Sequence, residues 1–253
     1  MGRAKAGLEW HGSTLLYRAA AVVARAVDGP VVVVAAPGQE LPGLPAGVTV
    51  VEDPVEGLGP VRGLATGLAA VGDRAGAAFV CSTDLPFLHP SYIRRVVREL
   101  TGDVDVVLPV ARGFRQPLAA AYRTGIAGLV AELLARGARK PGQVFEHCAV
   151  TSLDGAALLA DPVLAAHDPD LDSVVNVNTP RDYRAARDRE PPRVVVECAG
   201  VARTVRAATL GAAARAAGVA PDRHAVTLNG VPVAGDARWP LVAGDTVAFV
   251  PRG

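Results

Sequence analysis

Short, uniformly apolar segments recur through the first part of the chain, and helix-like segments alternate with them. The clearest is the run of four valines within Pro30–Ala35, which is typical of a parallel strand covered on both faces. Further strands are predicted at Val48–Glu52, Ala77–Ser82 and Val104–Leu108. The alternating helix-like segments are Thr14–Ala26, Val61–Val71 and Ser91–Leu100. This alternation implies crossover connections, so we expect an α/β fold with a Rossmann-like, mostly parallel sheet.

The middle of the chain predicts a helix at Gly125–Ala135, a strand at Ser173–Asn178 and a helix at Arg181–Arg187. The charged stretch that follows contains Pro191-Pro192 and is typical of a linker. We therefore expect one domain over residues 1–188, a linker at 189–192 and a second domain over 193–253.

The predicted second domain has a different pattern of elements. Strands are predicted at Arg193–Cys198, His224–Leu228 and Thr246–Val250, and a helix at Leu210–Ala217. Asn229-Gly230 is a strong signal for a hairpin turn. Strand, helix, hairpin and strand in so short a segment predict a compact α+β module.

Composition excludes several classes of function. The formal net charge of +1 gives no reason to expect binding to nucleic acid or to an anionic membrane. No apolar run approaches the roughly 18–20 residues that span a bilayer, and no signal-peptide core follows Met1. The three cysteines are odd in number and lack metal-ligand spacing. These features indicate a cytoplasmic protein with reduced thiols.

Two acidic residues stand at positions where sheets of this class bind ligands, beyond the carboxyl ends of their strands. Asp53 follows the predicted strand Val48–Glu52, and Asp84 follows Ala77–Ser82. Both are therefore candidate site residues.

A series of short motifs makes a more specific pattern. The series is Met1–Lys5, Leu8–Leu16, Glu52-Asp53-Pro54, Gly59–Leu64, Ser82–Pro86, Arg115-Gln116-Pro117 and Asn176–Pro180. In order and spacing it resembles the molybdenum cofactor guanylyltransferase family, over about residues 1–187. The resemblance implies an enzyme, in which a terminal phosphate of molybdopterin attacks the α-phosphorus of a nucleoside triphosphate and releases pyrophosphate. The nucleophile is already an anion, so the protein mainly has to align and neutralise the reactants.

The resemblance also implies roles for individual residues. Lys5 and Asp84 are the expected catalytic residues, with Lys5 on the nucleotide phosphates and Asp84 holding the cofactor Mg²⁺. The other expected nucleotide-binding residues are Asp53, Gly59, Pro60 and Gly63. The expected acceptor-binding residues are Arg139, Lys140, Asn176 and Asn178. The implied partners are GTP or CTP, molybdopterin or the molybdenum cofactor, and proteins of molybdoenzyme assembly.

Each residue type also has a purely structural interpretation. An Asp before Leu-Pro can form a local turn, and a Lys near the chain start can be a solvated surface residue. Asn176 and Asn178 can cap the helix that begins near Pro180. Arg139 and Lys140 can be cations near a helix C-terminus.

Two features of the chain differ from the family pattern. The phosphate loop Leu-x-Gly-Gly-x-Ser-x-Arg, which precedes Met-Gly in the family, and the strand before it are absent from the sequence. We expect a natural start upstream of Met1, with a divergent relative that lacks the loop as the alternative, and weak nucleotide binding by the chain as given. After the second strand, Val34-Ala35-Ala36 offers no base-reading Asn, so the preference for GTP over CTP stays open.

The predicted second domain resembles the β-grasp, ubiquitin-like sulfur carriers of thiamine and molybdopterin synthesis. The similarity lies in Leu228-Asn229-Gly230, Leu241–Asp245 and Val247–Val250. Those carriers end in Gly-Gly, whereas this chain ends in Arg252-Gly253. Because Arg252 is far bulkier than glycine, we expect a docking or structural module, with sulfur carriage as the alternative.

Three functions follow from the sequence. The first is GMP transfer to molybdopterin, and the second is transfer of CMP or transfer to another phosphorylated acceptor. The third is a non-catalytic scaffold of cofactor assembly.

Overall fold

The computed structural model describes residues 5–53 and 59–251. The strands, in chain order, are β1 Glu9–Trp10, β2 Ser13–Thr14, β3 Val31–Ala35, β4 Val48–Glu52, β5 Ala77–Cys81, β6 Val106–Ala111, β7 Phe114–Arg115, β8 Ala119–Arg123, β9 Val150–Leu153, β10 Arg193–Cys198, β11 Val201–Arg206, β12 His224–Leu228, β13 Val231–Val233 and β14 Thr246–Pro251. The helices are α1 Leu15–Ala24, α2 Pro60–Val71, α3 Pro90–Arg98, α4 Ala127–Ala135, α5 Pro141–Phe145, α6 Gly155–Leu159, α7 Pro162–His167, α8 Pro180–Arg187 and α9 Leu210–Ala217.

The chain forms two compact units. Unit 1 comprises Met1–Ala21, Thr83–Phe87 and Val175–Gly253. Unit 2 comprises Val22–Ser82 and Leu88–Val174. Residues on both sides of 189–192 belong to unit 1, and a domain boundary at that linker stays a prediction.

Unit 2 is an α/β structure with mixed rather than mostly parallel sheets. β3 and β4 form a parallel pair. A separate sheet has the order β5-β8-β6-β7, and β9 pairs with β6 in parallel. β8 runs antiparallel to both β5 and β6, which accounts for the difference from the prediction.

The four valines of β3 are half-buried, although the sequence predicted a strand covered on both faces. Among the described residues β3 pairs only with β4, so it lies at a sheet edge. Helix α2 covers one face at close range, because a Cβ at Gly67 would lie 3.4 Å from Val34 Cγ2. The main core of unit 2 lies elsewhere, between α2, β6, β8 and α4. Its most buried members are Val61, Leu68, Val106, Leu108, Ala120, Tyr122, Val130 and Val144.

Unit 1 contains two cores. The first joins the β1–β2 hairpin to α8 through Trp10, Leu15, Val177 and Ala186. The second belongs to residues 193–251, which we call the C-terminal module. Its five-stranded sheet has the order β11-β10-β14-β12-β13, with β10 and β14 parallel and the other neighbours antiparallel. The apolar face of α9 and the inner face of this sheet share that core.

The predicted Asn229-Gly230 turn is confirmed, with φ values of 52° and 81° between β12 and β13. The predicted strand Ser173–Asn178 is wrong. A short 3-10 turn occupies Asp172–Val174, and the next residues form no ladder. Within the described ranges, no helix is long and apolar enough to cross a membrane.

Candidate functional site

Three predicted site residues meet in unit 1. The ammonium of Lys5 lies 2.8 Å from Asp84 Oδ2 and donates to Asn178 Oδ1 at 2.9 Å. Because an ammonium can only donate, Asn178 must present its amide oxygen. The Asp84 side chain is 14% exposed, so this ion pair is partly shielded from water. Lys5 is therefore a partly exposed residue held in an ion pair, and the Asp84 carboxylate contacts a cation in addition to standing in a turn.

The backbone brings Asp84 and Asn178 together across the chain. The Val177 N–H donates to the Asp84 carbonyl at 2.9 Å. Val177 is fully buried against Trp10 and Leu15, which fixes this connection. The cluster of Lys5, Asp84 and Asn178 thus stands on a packed frame.

The structural interpretation of Asn176 and Asn178 as helix caps is wrong. Thr179 is the N-cap of α8, because its Oγ1 accepts from the Asp182 N–H at 3.1 Å. Asp182 returns the contact by accepting from the Thr179 N–H at 2.8 Å, and these hydrogen bonds lower the pKa of its carboxyl. The side chain of Asn178 is therefore available to Lys5. Asn176 is exposed and makes no side-chain hydrogen bond to a described residue.

The loop that carries Asp84, residues 83–87, is held on several sides. Leu85 is buried, and the Phe87 ring meets Trp10 edge to face at 5.6 Å. The Arg189 guanidinium lies 4.5 Å from the centre of the Phe87 ring. The carbonyl of Pro86 accepts from Arg18 Nε at 2.5 Å. We refer to residues 83–87 as the Asp84 loop.

Asp53 lies in unit 2, directly after β4. Its Oδ1 forms an ion pair with Arg62 Nε at 3.2 Å and accepts from the Thr66 hydroxyl at 3.1 Å. Arg62 and Thr66 stand on successive turns of α2, so both contacts come from one helix. Asp53 Oδ2 makes no hydrogen bond or ion pair to another described residue. Pro54, the last residue of its motif, lies outside the described residues.

The two predicted glycines at the start of α2, Gly59 before the helix and Gly63 inside it, differ in their surroundings. Gly59 precedes the helix with φ 76°, and a Cβ there would lie 2.9 Å from the Arg139 carbonyl oxygen. Gly59 thus makes room for the protein backbone itself. Pro60 is the first helical residue, where its missing N–H costs nothing. A Cβ at Gly63 would meet no atom within 4 Å, so a ligand could approach there.

Arg139 and Lys140 serve the fold in this structure. Arg139 donates to the carbonyls of Leu134 and Ala138 at 3.1 and 2.9 Å, at the C-terminal end of α4. The N–H of Lys140 donates to Gln143 Oε1 at the start of α5. The interpretation of Arg139 as a cation at a helix C-terminus is therefore confirmed. Its role in acceptor binding stays a prediction, as does that of Lys140.

The motif Arg115-Gln116-Pro117 closes the β6–β7 hairpin. Gln116 Nε2 donates to the carbonyls of Ala111 and Phe114 at 3.2 and 3.3 Å. The turn residues Arg112 and Gly113 have φ values of 53° and 84°, the conformation of a tight hairpin. Gln116 thus holds this hairpin in shape.

Comparison with known proteins identifies the family. The MobA-like NTP transferase domain matches residues 1–153, more than half of the chain. The chain belongs to the MobA-like NTP transferase family.

Two relatives of this MobA-like chain are named as enzymes. A "Probable molybdenum cofactor guanylyltransferase" of Mycobacterium tuberculosis is 41% identical over 145 residues, which are 55% of this chain and 70% of that protein. A protein of the same name from Mycobacterium avium is 37% identical over 190 residues, 73% of this chain and 87% of that protein. The predicted enzyme class, nucleotidyltransferase, is thereby confirmed.

A solved structure shares the fold. Molybdopterin-guanine dinucleotide biosynthesis protein A from Archaeoglobus fulgidus aligns with a TM-score of 0.56 and 21% identity, over 74% of this chain and 90% of that one. This likeness concerns the fold alone, and it confirms the α/β class.

In this MobA-like chain, Arg18 is a buried residue beside the Asp84 loop that is not among the predicted site residues. It is a single charged residue within an apolar helical segment, Leu15–Val22, and it is buried. A charge at such a position signals a specific set of hydrogen-bond acceptors, and that signal was present in the sequence.

Proposed function

We propose that the chain transfers a nucleoside monophosphate, with GMP favoured, from a nucleoside triphosphate to the terminal phosphate of molybdopterin or the molybdenum cofactor. An oxygen of that phosphate attacks the α-phosphorus, a new P–O bond forms, and the bond to the β-phosphate breaks to release pyrophosphate. The nucleophile needs no deprotonation, so no general base is required. The protein has to bring two anions together and stabilise the leaving charge.

The observation that carries this proposal is the cluster of Lys5, Asp84 and Asn178. Its ammonium, carboxylate and amide oxygen come from three distant parts of the chain and meet within hydrogen-bonding distance. Lys5 would bind phosphate oxygens of the nucleotide as a compact positive charge. Its bonds to Asp84 and Asn178 support this role because they hold the ammonium ready in place.

The donor set of the cluster fits Mg²⁺. Asp84 Oδ2 and Asn178 Oδ1 are hard oxygen atoms, and both already contact the same cationic atom, Lys5 Nζ. No group of three His, Cys, Asp or Glu side chains suited to a metal occurs in residues 5–53 and 59–251. Asp84 would therefore hold the ion together with substrate phosphates and water, as is usual for Mg²⁺. When bound, the ion would neutralise charge on the triphosphate.

Asp53 is the proposed contact to the nucleoside part of the substrate. Its Oδ1 is engaged by Arg62 and Thr66, which would fix the carboxylate and leave Oδ2 for a hydroxyl or amine donor. Gly63 supports the same role, because its open Cα side would allow close approach of a ligand.

We assign the C-terminal module to the β-grasp class and give it a docking or structural role. The hairpin β10–β11, the helix α9 on one sheet face and the parallel pairing of β10 with β14 support the class. Arg252 and Gly253, on which the sulfur-carrier alternative depends, lie outside the described residues.

The decisive experiment measures transfer directly. The 253-residue chain, and a longer form that includes any in-frame codons upstream of Met1, are incubated with molybdopterin, Mg²⁺ and either GTP or CTP. We expect equimolar pyrophosphate and a dinucleotide form of the cofactor, with GTP the better donor. Faster transfer from CTP would correct the base. Absence of transfer by both forms with both nucleotides would refute nucleotidyl transfer to molybdopterin and leave the scaffold function or a different phosphorylated acceptor.

A binding test uses a simple property of the sequence. The chain has two lysines, Lys5 and Lys140. An amine-reactive reagent followed by mass spectrometry reports on each, with Lys140 as the internal reference. GTP with Mg²⁺ should lower the labelling of Lys5 relative to Lys140, and an unchanged ratio at saturating nucleotide would contradict the phosphate-binding role of Lys5.

A further inference from the structure

A buried arginine connects the C-terminal module to the Asp84 loop. Arg18 lies in α1 and is only 6% exposed. A guanidinium this deeply buried destabilises the fold unless its N–H groups find acceptors. The identity of those acceptors therefore shows which parts of the chain depend on Arg18.

Three of the acceptors are backbone carbonyls from two separate segments. Arg18 Nε donates to the Pro86 carbonyl of the Asp84 loop at 2.5 Å. Its Nη1 donates to the carbonyls of Ala208 and Leu241 at 3.5 and 3.4 Å, both in the C-terminal module. One planar, rigid guanidinium thus contacts the loop with one edge and the module with the other.

The two module carbonyls are themselves fixed. The Leu241 N–H donates to the Ala208 carbonyl at 3.0 Å, and Leu210 N–H donates to the Trp239 carbonyl at 2.8 Å. Ala208 and Leu241 are both buried, and Leu241 belongs to the core of the module. The two carbonyls that Arg18 contacts on the module side therefore belong to the folded interior of the module.

Three more contacts join the module to residues 11 and 17 near the start of the chain. The Tyr17 hydroxyl donates to Asp236 Oδ2 at 2.9 Å, and the Arg238 guanidinium lies 4.5 Å from the centre of the Tyr17 ring. Arg238 also holds Asp236 at 2.8 Å and lowers the pKa of its carboxyl, which keeps the acceptor charged. The Thr209 hydroxyl donates to the His11 carbonyl at 3.3 Å.

We propose that Arg18 is a positioning residue through which the C-terminal module fixes the Asp84 loop. The module is then part of the functional enzyme, because the carbonyl of Pro86, two residues after Asp84, is held from the module side. The physical coupling stands on the contacts alone, whereas its effect on catalysis rests on the proposed function of Asp84.

Hydrogen exchange tests the coupling without any need for activity. In Arg18→Met, which keeps the length of the side chain but has no donor, the peptide covering residues 83–87 should exchange about tenfold faster. Helix α4 in unit 2 reports global stability and should exchange at the rate of the parent protein. Arg18→Lys, which retains one donor group, should restore part of the protection.

Arg123→Met is the matched control. Arg123 also donates to backbone carbonyls, those of Val104 and Gly102, but it lies in unit 2. Its substitution should leave residues 83–87 unchanged. Equal acceleration of the Asp84 loop by Arg18→Met and Arg123→Met, or no acceleration by Arg18→Met, would overturn the proposal.

A variant on the module side completes the test. Tyr17→Phe removes only the hydrogen bond to Asp236, which touches no atom of the Asp84 loop. If the module acts through Arg18, the loop should exchange faster in this variant too, by less than in Arg18→Met. Protection of residues 83–87 identical to the parent would limit the support to Arg18 itself and contradict a role of the module.

Kinetics separate this inference from the proposed function. Arg18→Met should raise the Mg²⁺ concentration for half-maximal rate about tenfold while the KM for the phosphate acceptor stays within about twofold. Failure of the parent protein to transfer any nucleotide would refute the proposed function, yet the exchange experiment would still decide the coupling.

Discussion

The Lys5–Asp84–Asn178 cluster and the Asp53–Arg62–Thr66 group are both built around one carboxylate that follows a strand, but they are assembled differently. In the first, the two acceptors of the Lys5 ammonium, Asp84 and Asn178, lie 79 and 173 residues from Lys5 along the chain. In the second, both partners of Asp53 belong to the helix that follows within 13 residues. The first group exists only when distant segments are packed, whereas the second can form locally. The Lys5–Asp84–Asn178 cluster, which only the complete fold brings together, is the better candidate for catalysis. The contacts of Asp53 with Arg62 and Thr66 are already explained by the attachment of Asp53 to its neighbouring helix.

The largest expected effect follows from loss of charge in the first group. Asp84→Asn should lower kcat by about 10²–10³-fold, because an amide is a poor ligand for Mg²⁺ and no longer pairs with Lys5. The melting temperature should change little, since the partly exposed side chain keeps its shape. Steady-state pyrophosphate release, measured in the more active form of the protein, tests this.

Asp188→Asn is a matched control at an exposed position at the end of α8. It should retain the parent rate. Mg²⁺-dependent transfer by Asp84→Asn at the rate of this control would remove Asp84 from the catalytic site.

The second effect concerns stability near Asp53. Gly59→Ala should lower the free energy of unfolding by about 1–3 kcal/mol, because alanine is strained at φ 76° and its Cβ would meet the Arg139 carbonyl oxygen. Gly63→Ala lies inside α2, the helix that Gly59 precedes; its Cβ meets no atom within 4 Å, and it should be neutral or stabilising by up to about 1 kcal/mol. Urea unfolding of both variants decides this. Equal stabilities would mean that the approach of Gly59 to Arg139 is not a constraint.

A smaller effect is expected from the carboxylate of the second group. Asp53→Asn keeps an oxygen for Thr66 but loses the ion pair with Arg62 and the charge on Oδ2. We expect about a tenfold higher KM for the nucleotide, equal to about 1.4 kcal/mol, with kcat within about threefold. A fall in kcat as large as that of Asp84→Asn would erase the distinction between the two groups.

The smallest effect is a pH dependence at His11, whose carbonyl accepts from Thr209. Burial lowers the pKa of His11 below its ordinary value of 6.5, partly opposed by Glu9 and aided by Arg18 and Arg187. The folded protein therefore binds this proton less well than the unfolded chain. The contribution of neutral His11 to stability is complete above pH 6.5 and is lost as the pH falls through the lower folded pKa.

Melting temperatures between about pH 5 and pH 8 measure this contribution. His11→Gln should flatten the decline at the acid end, and His147→Gln, which removes an exposed histidine, should not. Parallel curves for the parent and His11→Gln would refute this assignment.

The sequence predicted those elements whose ends carry local signals. Helix Leu210–Ala217 was predicted with its observed bounds because Thr209 caps its start and Gly218, in a left-handed conformation, ends it. Strand β8, Ala119–Arg123, was missed because its run of alanines has no strand preference and only the pairing with β5 and β6 makes it a strand. Its antiparallel direction is the reason why the sheet is mixed.

The same distinction applies to the site. The family resemblance indicated Lys5, Asp84 and Asn178 individually, but nothing local in the sequence could place Asn178 on Lys5 rather than at the cap of α8. Thr179 is the N-cap of α8 because its hydroxyl accepts from the Asp182 N–H and the Asp182 carboxylate accepts from the Thr179 N–H. Arg18 was missed for a related reason. Its position within an apolar helix indicates that it has acceptors, but the three carbonyls of Pro86, Ala208 and Leu241 cannot be identified from the sequence.

The hydrogen bond from Arg18 to the Leu241 carbonyl has a consequence for the order of synthesis. A ribosome makes Arg18 and the Asp84 loop well before it makes Leu241. Until then the guanidinium lacks part of its final set of hydrogen-bond acceptors. The Asp84 loop of the growing chain is therefore not yet held from the side of the C-terminal module. A premature stop codon anywhere between those encoding Asn178 and Leu241 would yield a protein with Lys5, Asp84 and Asn178 all present and Arg18 without this acceptor. Such nonsense alleles should therefore behave as loss-of-function alleles even though every residue of the cluster is translated.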